Sequence, residues 1–343
     1  MMPRALVAMS GGVDSAAAAL LMLEAGYEVC GVTLILNGNY DDACGARKTA
    51  EKLGIEHYTL VAEDSFKANV IDNFVECYCA GLTPNPCIEC NKSIKFGILF
   101  DELKNKSFDV LVTGHYARIG WDDNTGEPRL CKALDESKDQ SYVLYSVNSD
   151  KFRNIAFPLG DKTKTEIREI ARKAGIDSFV KGESQDICFI KDGDYAAFIT
   201  DKCPDCAAPG DFCDRSGKVL GRHKGMISYT VGQRRGLGVP STESYYVLEK
   251  KVSDNTIVLG YKSELYTQSF DVKELNILCP SMWNKDKKYT VRTRYHQKET
   301  ECRVIFDDNT VKVVTDTDIR IPAPGQSAVF YDGDIVVAGG IIY

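Results

Sequence analysis

Apolar and polar positions fall into two textures along this chain of 343 residues. Over the first two hundred, short β-branched and aliphatic runs at 5–9, 28–36, 57–61 and 110–113 alternate with helical stripes at 15–25, 43–53 and 64–80. A further stripe at 92–103 comes just before the fourth run. Such alternation predicts βαβ units, hence an α/β fold: a parallel sheet with helices on both faces. Gly26 and Gly54 stand where helix C-caps belong, and a helix at 162–174 is expected after Asp161 as N-cap, ending at Gly175. Beyond about Cys203 the runs shorten and are separated by Asp-Asn, Asp-Gly and Pro-Gly signals: 226–231, 245–248, 256–259, 290–295, 303–306, 311–314, 328–330 and 335–342. The pattern predicts three domains, an α/β unit over 1–202, a small β-rich domain over 203–268 and a C-terminal β-barrel over 269–343.

Charge alters this picture only locally. Forty-two Lys and Arg against 49 Asp and Glu leave a net charge of −7, so global charge does not announce nucleic acid. Between Arg215 and Lys251, however, eight cations face only Glu243 and Glu249. A second basic stretch, 285–298, holds Arg292, Arg294, Tyr295 and His296 against the single acid Asp286. Clustered cations can neutralise phosphates and interleaved aromatics can stack on unpaired bases. The opening Met1-Met2-Pro3-Arg4 lacks the features of a secretory signal and no apolar run approaches a membrane span, so a cytoplasmic protein with no membrane partner is expected. Thirteen scattered cysteines make structural disulfides unexpected and point to reactive, metal-bound or buried thiols.

Candidate chemistry begins at Ser10-Gly11-Gly12-Val13-Asp14-Ser15, a strand–turn–helix junction. Two adjacent glycines let amide N–H groups converge with the hydroxyls of Ser10 and Ser15 beside them, a nest for phosphate. The segment lacks the Gly-Lys-Ser/Thr ending of a Walker loop and the spacing of a dinucleotide fingerprint. It resembles the PP-loop of the ATP pyrophosphatases. Thr113-Gly114-His115-Tyr116 falls at the carboxyl end of another strand and faces the same site. In Thr83-Pro84-Asn85-Pro86-Cys87-Ile88-Glu89-Cys90-Asn91-Lys92, the prolines delay a helix until after Pro86, with Asn91 or Cys90 expected to start it. A thiol there would be acidified by the helix dipole and by Lys92. Gly182-Glu183-Ser184-Gln185-Asp186-Ile187-Cys188-Phe189 places another cysteine among polar residues.

These segments, with Lys138-Asp139-Gln140-Ser141-Tyr142, His223-Lys224-Gly225 and Thr230-Val231-Gly232-Gln233-Arg234-Arg235-Gly236-Leu237-Gly238, occur in an order that resembles the tRNA-specific 2-thiouridylase (MnmA) family over nearly the whole chain. The resemblance implies an adenine nucleotide alpha hydrolase-like N-terminal domain and a sulfurtransferase reaction. ATP would be held by Ala8, Met9, Ser10, Gly11, Gly12, Val13, Asp14, Ser15, Leu34 and Gly114, with Asp14 helping to position Mg2+. The 2-carbonyl oxygen of the wobble uridine would be adenylated. Cys188 would carry a persulfide and Cys90 would release its sulfur, ending in a Cys90–Cys188 disulfide. The same resemblance assigns tRNA contacts to Asn85, Pro86, Cys87, His115, Lys138, Asp139, Gln140, Arg294, Tyr295 and Gln326, and implies a cysteine desulfurase or persulfide relay protein as donor.

Cys87 departs from the Asp that many family members carry. With Cys90 and Cys188 it could ligate a [4Fe-4S] cluster with one open iron, so a cluster-assisted thiolase stands beside plain persulfide chemistry. Cys203-Pro204-Asp205-Cys206, with Cys213 nearby, looks like half a zinc knuckle without a fourth ligand. Cys77 and Cys79, on one helix, point to different faces and are not expected to share a ligand. Cys30, Cys44, Cys131, Cys279 and Cys302 read as core or surface thiols, and His57 as structural. Two rivals are a PP-loop amide synthetase, for which no glutaminase domain is evident, and a non-catalytic RNA-binding protein, which would not need both cysteines.

Overall fold

The computed structural model describes residues 2–38, 40–176, 187–190, 193–307 and 310–343. Strands β1 (Arg4–Ala8), β2 (Glu28–Ile35), β3 (Glu56–Val61), β4 (Val110–Val112) and β7 (Ile155–Ala156) form one parallel sheet in the order β3-β2-β1-β4-β7. Ala5, Leu6 and Val7 of the central strand are fully buried, as a continuous apolar run must be when both faces of a sheet are covered. Helix α1 (Val13–Glu24) presses Ala16, Ala17, Ala18 and Ala19 into the interior; their small side chains let the helix lie close. Helix α2 (Tyr40–Leu53) and helical runs over 63–79 and 86–105 complete the layers.

The second sheet runs β10 (Tyr246–Lys251), β11 (Thr256–Gly260), β8 (Gly210–Cys213), β9 (Val219–His223). The third closes on itself: β12 (Tyr266–Ile277), β15 (Thr310–Arg320), β14 (Thr300–Asp307), β13 (Tyr289–Arg292), β16 (Ser327–Asp332) and β17 (Ile335–Ile342), with β17 pairing back to β12. Closure removes the exposed edges that an open sheet would leave. A hairpin of β5 (Arg118–Trp121) and β6 (Pro128–Cys131), from the N-terminal part of the sequence, is attached to β17 through Ile335 and Cys131.

This attachment is one part of a continuous seam. A single apolar core contains Leu6, Val32 and Leu111 of the parallel sheet together with Val329, Phe330 and Val337 of the barrel. Tyr142, on the short helix Ser141–Leu144, donates from its hydroxyl to the Ser327 carbonyl at 2.8 Å, and the Tyr145 hydroxyl lies 2.9 Å from Ser327 Oγ. Asn276 donates to the carbonyls of Tyr145 (2.6 Å) and Val147 (3.0 Å).

Several local expectations change. The helix after the two prolines starts at Pro86, whose missing N–H suits a first-turn position, and Asn85 caps it by accepting the Cys87 N–H at 3.1 Å. The later helix is Lys164–Lys173, capped by Thr163 in a reciprocal box with Glu166 rather than by Asp161. Residues Met226–Ser228 form a 3-10 turn, not a strand, while β8, β9 and the β5–β6 hairpin had no strand assigned from sequence. Cys79 and Cys206 are joined in a disulfide, contrary to the expectation of none. Among the described residues, no helix is long and apolar enough to cross a membrane.

Gly339 on β17 leaves the space that the Tyr145 ring fills; a Cβ there would lie 2.2 Å from a ring carbon. Gly339→Ala is expected to destabilise the protein by about 1–3 kcal/mol, read as a lower urea midpoint with the slope unchanged. An unchanged midpoint would show that this contact does not hold the seam.

Candidate active site

The turn after β1 is shaped by its own side chains. Gly11 takes φ +74°, and a Cβ there would meet the Asp42 carbonyl oxygen at 2.8 Å, so position 11 is closed to other residues on two counts. Gly12 is the N-cap of α1. Ser15 is buried; its hydroxyl accepts the Ser10 N–H at 3.1 Å and donates to the Gly12 carbonyl at 3.0 Å, so it braces the turn rather than facing outward. Leu34 is half-buried near the end of β2, while Ala8, Met9 and Val13 frame the turn on either side.

Asp14 holds a different position from a free metal ligand. Lys164 Nζ donates to both of its carboxylate oxygens, at 2.7 and 2.8 Å, and the Tyr116 hydroxyl donates to Oδ1 at 2.9 Å. Both oxygens are thus engaged by cationic and hydroxyl donors. Lys164, 150 residues away in sequence, carried no motif that could have revealed it.

The loop after β4 ties this turn to the thiols. A Cβ on Gly114 would come within 2.9 Å of Asp14 C and Ser15 N, so glycine permits the loop to rest on the start of α1. His115 is buried; its Nδ1 lies 2.7 Å from Thr113 Oγ1 and its Nε2 lies 3.4 Å from Lys95 Nζ. Burial, with Lys95 adding to it, lowers the His115 pKa well below its ordinary value, so the ring is neutral. Since an ammonium only donates, Nε2 accepts and Nδ1 carries the proton to Thr113.

Lys95 faces the cysteines as well. The segment Cys90–Ile98 is wound with i→i+5 hydrogen bonds, which places Lys95 one widened turn from Cys90. Cys90 is buried and its pKa is raised, by desolvation first, against the opposing charge of Lys95. The expectation of an acidified Cys90 is therefore overturned: it sits one turn inside the helix, not at its positive end, and Lys92 is drawn toward Glu89 at 4.0 Å. Cys188 lies within electrostatic reach of Cys90, Cys87 and Lys95; desolvation by its surroundings and then the two thiols push its pKa up to about 11, although the residue as a whole is exposed. Gly182, Glu183, Ser184, Gln185 and Asp186 of that segment lie outside the described residues.

The sulfurs of Cys87, Cys90 and Cys188 do not form a compact metal-binding group. Among the described residues, the one such group is Cys79, Cys203 and Cys206, whose sulfurs all lie within 4.8 Å of one another. Cys213, buried on β8, and Cys77 are not part of it.

The remaining sequence-assigned residues line the seam. Tyr295 is within electrostatic reach of Cys87 and is pushed up to about 12, mainly by burial. Arg294 donates to the Val231 carbonyl at 3.1 Å. Gln326 donates to the Thr83 carbonyl at 2.6 Å, fixing the proline loop to the barrel. Asp139 is buried and accepts from Arg292 (2.8 Å), the Ser141 hydroxyl (2.9 Å) and the N–H groups of Ala133 and Ser141 (3.1 Å each). It therefore holds its loop from within. Gln140 accepts the Tyr116 N–H at 2.9 Å, and Lys138 stands half-exposed beside it.

Three family descriptions cover the chain in sequence: a "tRNA methyl transferase HUP domain" over 3–192, a "tRNA methyl transferase PRC-barrel domain" over 196–261 and an "Aminomethyltransferase beta-barrel domain" over 267–342. Together with the phosphate turn, they define a PP-loop enzyme of tRNA modification. The tRNA-specific 2-thiouridylase MnmA of Acetivibrio thermocellus is 40% identical over 354 residues, spanning 99% of each chain. That of Caldanaerobacter subterraneus, MnmA 2, is 41% identical over 358 residues, spanning 99% of this chain and 97% of its own. The chain belongs to the MnmA family of tRNA-specific 2-thiouridylases.

A thiol with a pKa of about 11 is thiolate in only about one molecule in a thousand at pH 8. Alkylation of Cys188 should therefore be slow at neutral pH and rise through pH 11. Because Lys95 opposes the upward shift, Lys95→Met should move the profile to higher pH and slow alkylation at any pH below it. A profile that Lys95→Met leaves in place would remove Lys95 from the thiol environment.

Proposed function

We propose that this protein performs ATP-dependent 2-thiolation of the wobble uridine of tRNA in the cytoplasm, with the sequence-assigned groups in the following roles. The nest at Ala8–Ser15, with Leu34 and Gly114, holds ATP. The uracil 2-oxygen attacks the α-phosphorus, pyrophosphate leaves, and a poor leaving group becomes AMP. Mg2+ accompanies the nucleotide phosphates and neutralises their charge; no protein ligand is assigned to it. The outer sulfur of a Cys188 persulfide attacks C2 and AMP departs with the oxygen. Cys90, as thiolate, then attacks the inner sulfur, so the S–S bond breaks, C2=S remains on the base, and Cys90 and Cys188 are left as a disulfide for an external dithiol to reduce.

The observation that carries this reading is the short bridge between the phosphate turn and the thiols: Gly114 rests on α1, and His115 meets Lys95, whose charge acts on both Cys90 and Cys188. The raised thiol pKa values favour a persulfide, nucleophilic at neutral pH, over the bare Cys188 thiol as the sulfur donor. Family descriptions speak of methyl transfer while the relatives are named for thiolation; two free thiols, Cys90 and Cys188, within electrostatic reach of each other accord with the latter.

The target base must leave its stack to be reached. Asn85, Pro86 and Cys87 form its pocket with His115, and Thr83 Oγ1 and Asn91 Oδ1, buried on either side of that turn without partners among the described residues, are polar groups of the kind a ligand satisfies. Arg294, Tyr295 and Lys138 reach the RNA from the barrel side, whereas Gln326 acts by holding the Thr83 carbonyl. A cysteine desulfurase or a persulfide relay protein loads Cys188.

Incubation with unmodified tRNA, ATP, magnesium and a persulfide source, followed by nucleoside analysis, is expected to yield 2-thiouridine, with Cys188→Ser reducing it to background. Formation of 4-thiouridine or 2-thiocytidine would overturn the reading. Anaerobically purified enzyme is expected to be colourless and active; iron with acid-labile sulfide, lost in Cys87→Ser, would replace it with the cluster-assisted route.

A further inference from the structure

Cys79, Cys203 and Cys206 take no part in the chemistry above, yet they gather from two distant stretches of chain. Cys79 ends the Asn73–Cys79 helix and Cys206 lies in the turn Pro204–Ala207, which directly follows the helix Tyr195–Lys202. Their disulfide spans 127 residues of sequence. Cys203 Sγ lies 2.9 Å from Cys206 Sγ. The backbone sets this approach: the Cys203 N–H donates to the Ile199 carbonyl at 2.8 Å and the Cys206 N–H to the Cys203 carbonyl at 3.2 Å, so the turn carries both sulfurs side by side. A nucleophile held at about 3 Å from its target atom is close to an attack geometry.

The helix that ends at Cys79 and the helix that leads into the Cys203–Cys206 turn also hold the neighbour of Cys188. Phe189 packs against Phe74 of the first helix (ring centroids 5.4 Å) and Phe198 of the second (5.5 Å), and Tyr78 and Tyr195 meet at 5.2 Å beside them. Cys90, Phe189 and Ile199 share one apolar cluster, against which Cys79, Cys203 and Cys206 pack.

We propose that Cys79, Cys203 and Cys206 form a thiol–disulfide exchange centre, separate from Cys90 and Cys188, that fastens and releases the helix pair seating Phe189 and hence Cys188. Cys203 loses its proton to solvent and attacks Cys206 Sγ. The Cys79–Cys206 bond breaks, a Cys203–Cys206 bond forms, and Cys79 leaves as thiolate and takes up a proton. This exchange is neutral in electrons. The cross-link between the helices is thereby replaced by one local to the turn. An external dithiol then reduces the Cys203–Cys206 bond and is itself oxidised to a disulfide. The proposal does not require the thiolation reading to hold.

The test uses the full chain, acid-quenched, alkylated and mapped by mass spectrometry without reduction, together with zinc analysis. Wild type should give both Cys79–Cys206 and Cys203–Cys206 peptides. Cys203→Ser, which keeps the cross-link and so the fold, should give only Cys79–Cys206, with reduction by dithiothreitol slowed about tenfold. Cys79→Ser should give only Cys203–Cys206 and faster alkylation of Cys188 than Cys203→Ser shows. Three free, freely alkylated thiols, one equivalent of zinc protecting them, a reduction rate unmoved by Cys203→Ser, or equal Cys188 alkylation in the two variants would each overturn the proposal.

Discussion

One apolar core shared by the parallel sheet and the barrel sets the geometry of everything else. Leu6 and Leu111 on one side and Val329 and Phe330 on the other belong to the same buried mass, so the two units do not merely touch at a polar surface. Hydrogen bonds from Tyr142 to Ser327, from Gln326 to Thr83 and from Arg292 to Asp139 are laid across it, where desolvation makes an unmade bond costly. The proline loop bearing Cys87 is consequently held between domains, and Tyr295 of the barrel reaches it. A base admitted there would meet fixed walls, which is what orientation-dependent chemistry requires.

Within that frame, burial and charge work in opposite directions on the sulfurs. Desolvation raises the pKa of Cys90 and Cys188, while Lys95 limits the effect. The same lysine faces a neutral His115, and among the described residues no carboxylate is ion-paired with it. At the other end of the loop, the Asp14 carboxylate is paired with Lys164, which offsets its charge beside the phosphate turn. Both arrangements favour an anionic ligand at one end and a sulfur nucleophile at the other.

How much of this could be read from the chain follows physical lines. The parallel sheet was legible because strands buried on both faces leave continuous apolar runs, and the phosphate turn because Gly11 needs a left-handed backbone. Cys90 and Cys188 were picked out by the segments around them, and Tyr295 by the basic stretch 285–298 that holds it. Lys164 and the Cys79–Cys206 pairing were not legible, since each joins residues more than a hundred positions apart with no local signature. The acidity of Cys90 was misjudged for a related reason: helix onset at Pro86 instead of Cys90 or Asn91 moved the thiol off the helix end, and tertiary burial outweighed the local cations. The partners of Asp139 and Gln326 across the seam were not legible either, since contacts between distant segments are invisible in one dimension.

The central claim is that the shared core brings Cys90 and Cys188 to a single base. A quenched single turnover with persulfide-loaded enzyme, ATP and tRNA measures it directly by mapping cysteine linkages against the thionucleoside formed. The account predicts a Cys90–Cys188 disulfide appearing in proportion to 2-thiouridine and absent without ATP. Thionucleoside formed with Cys90 still free, or with Cys188 joined to any other cysteine, would contradict it.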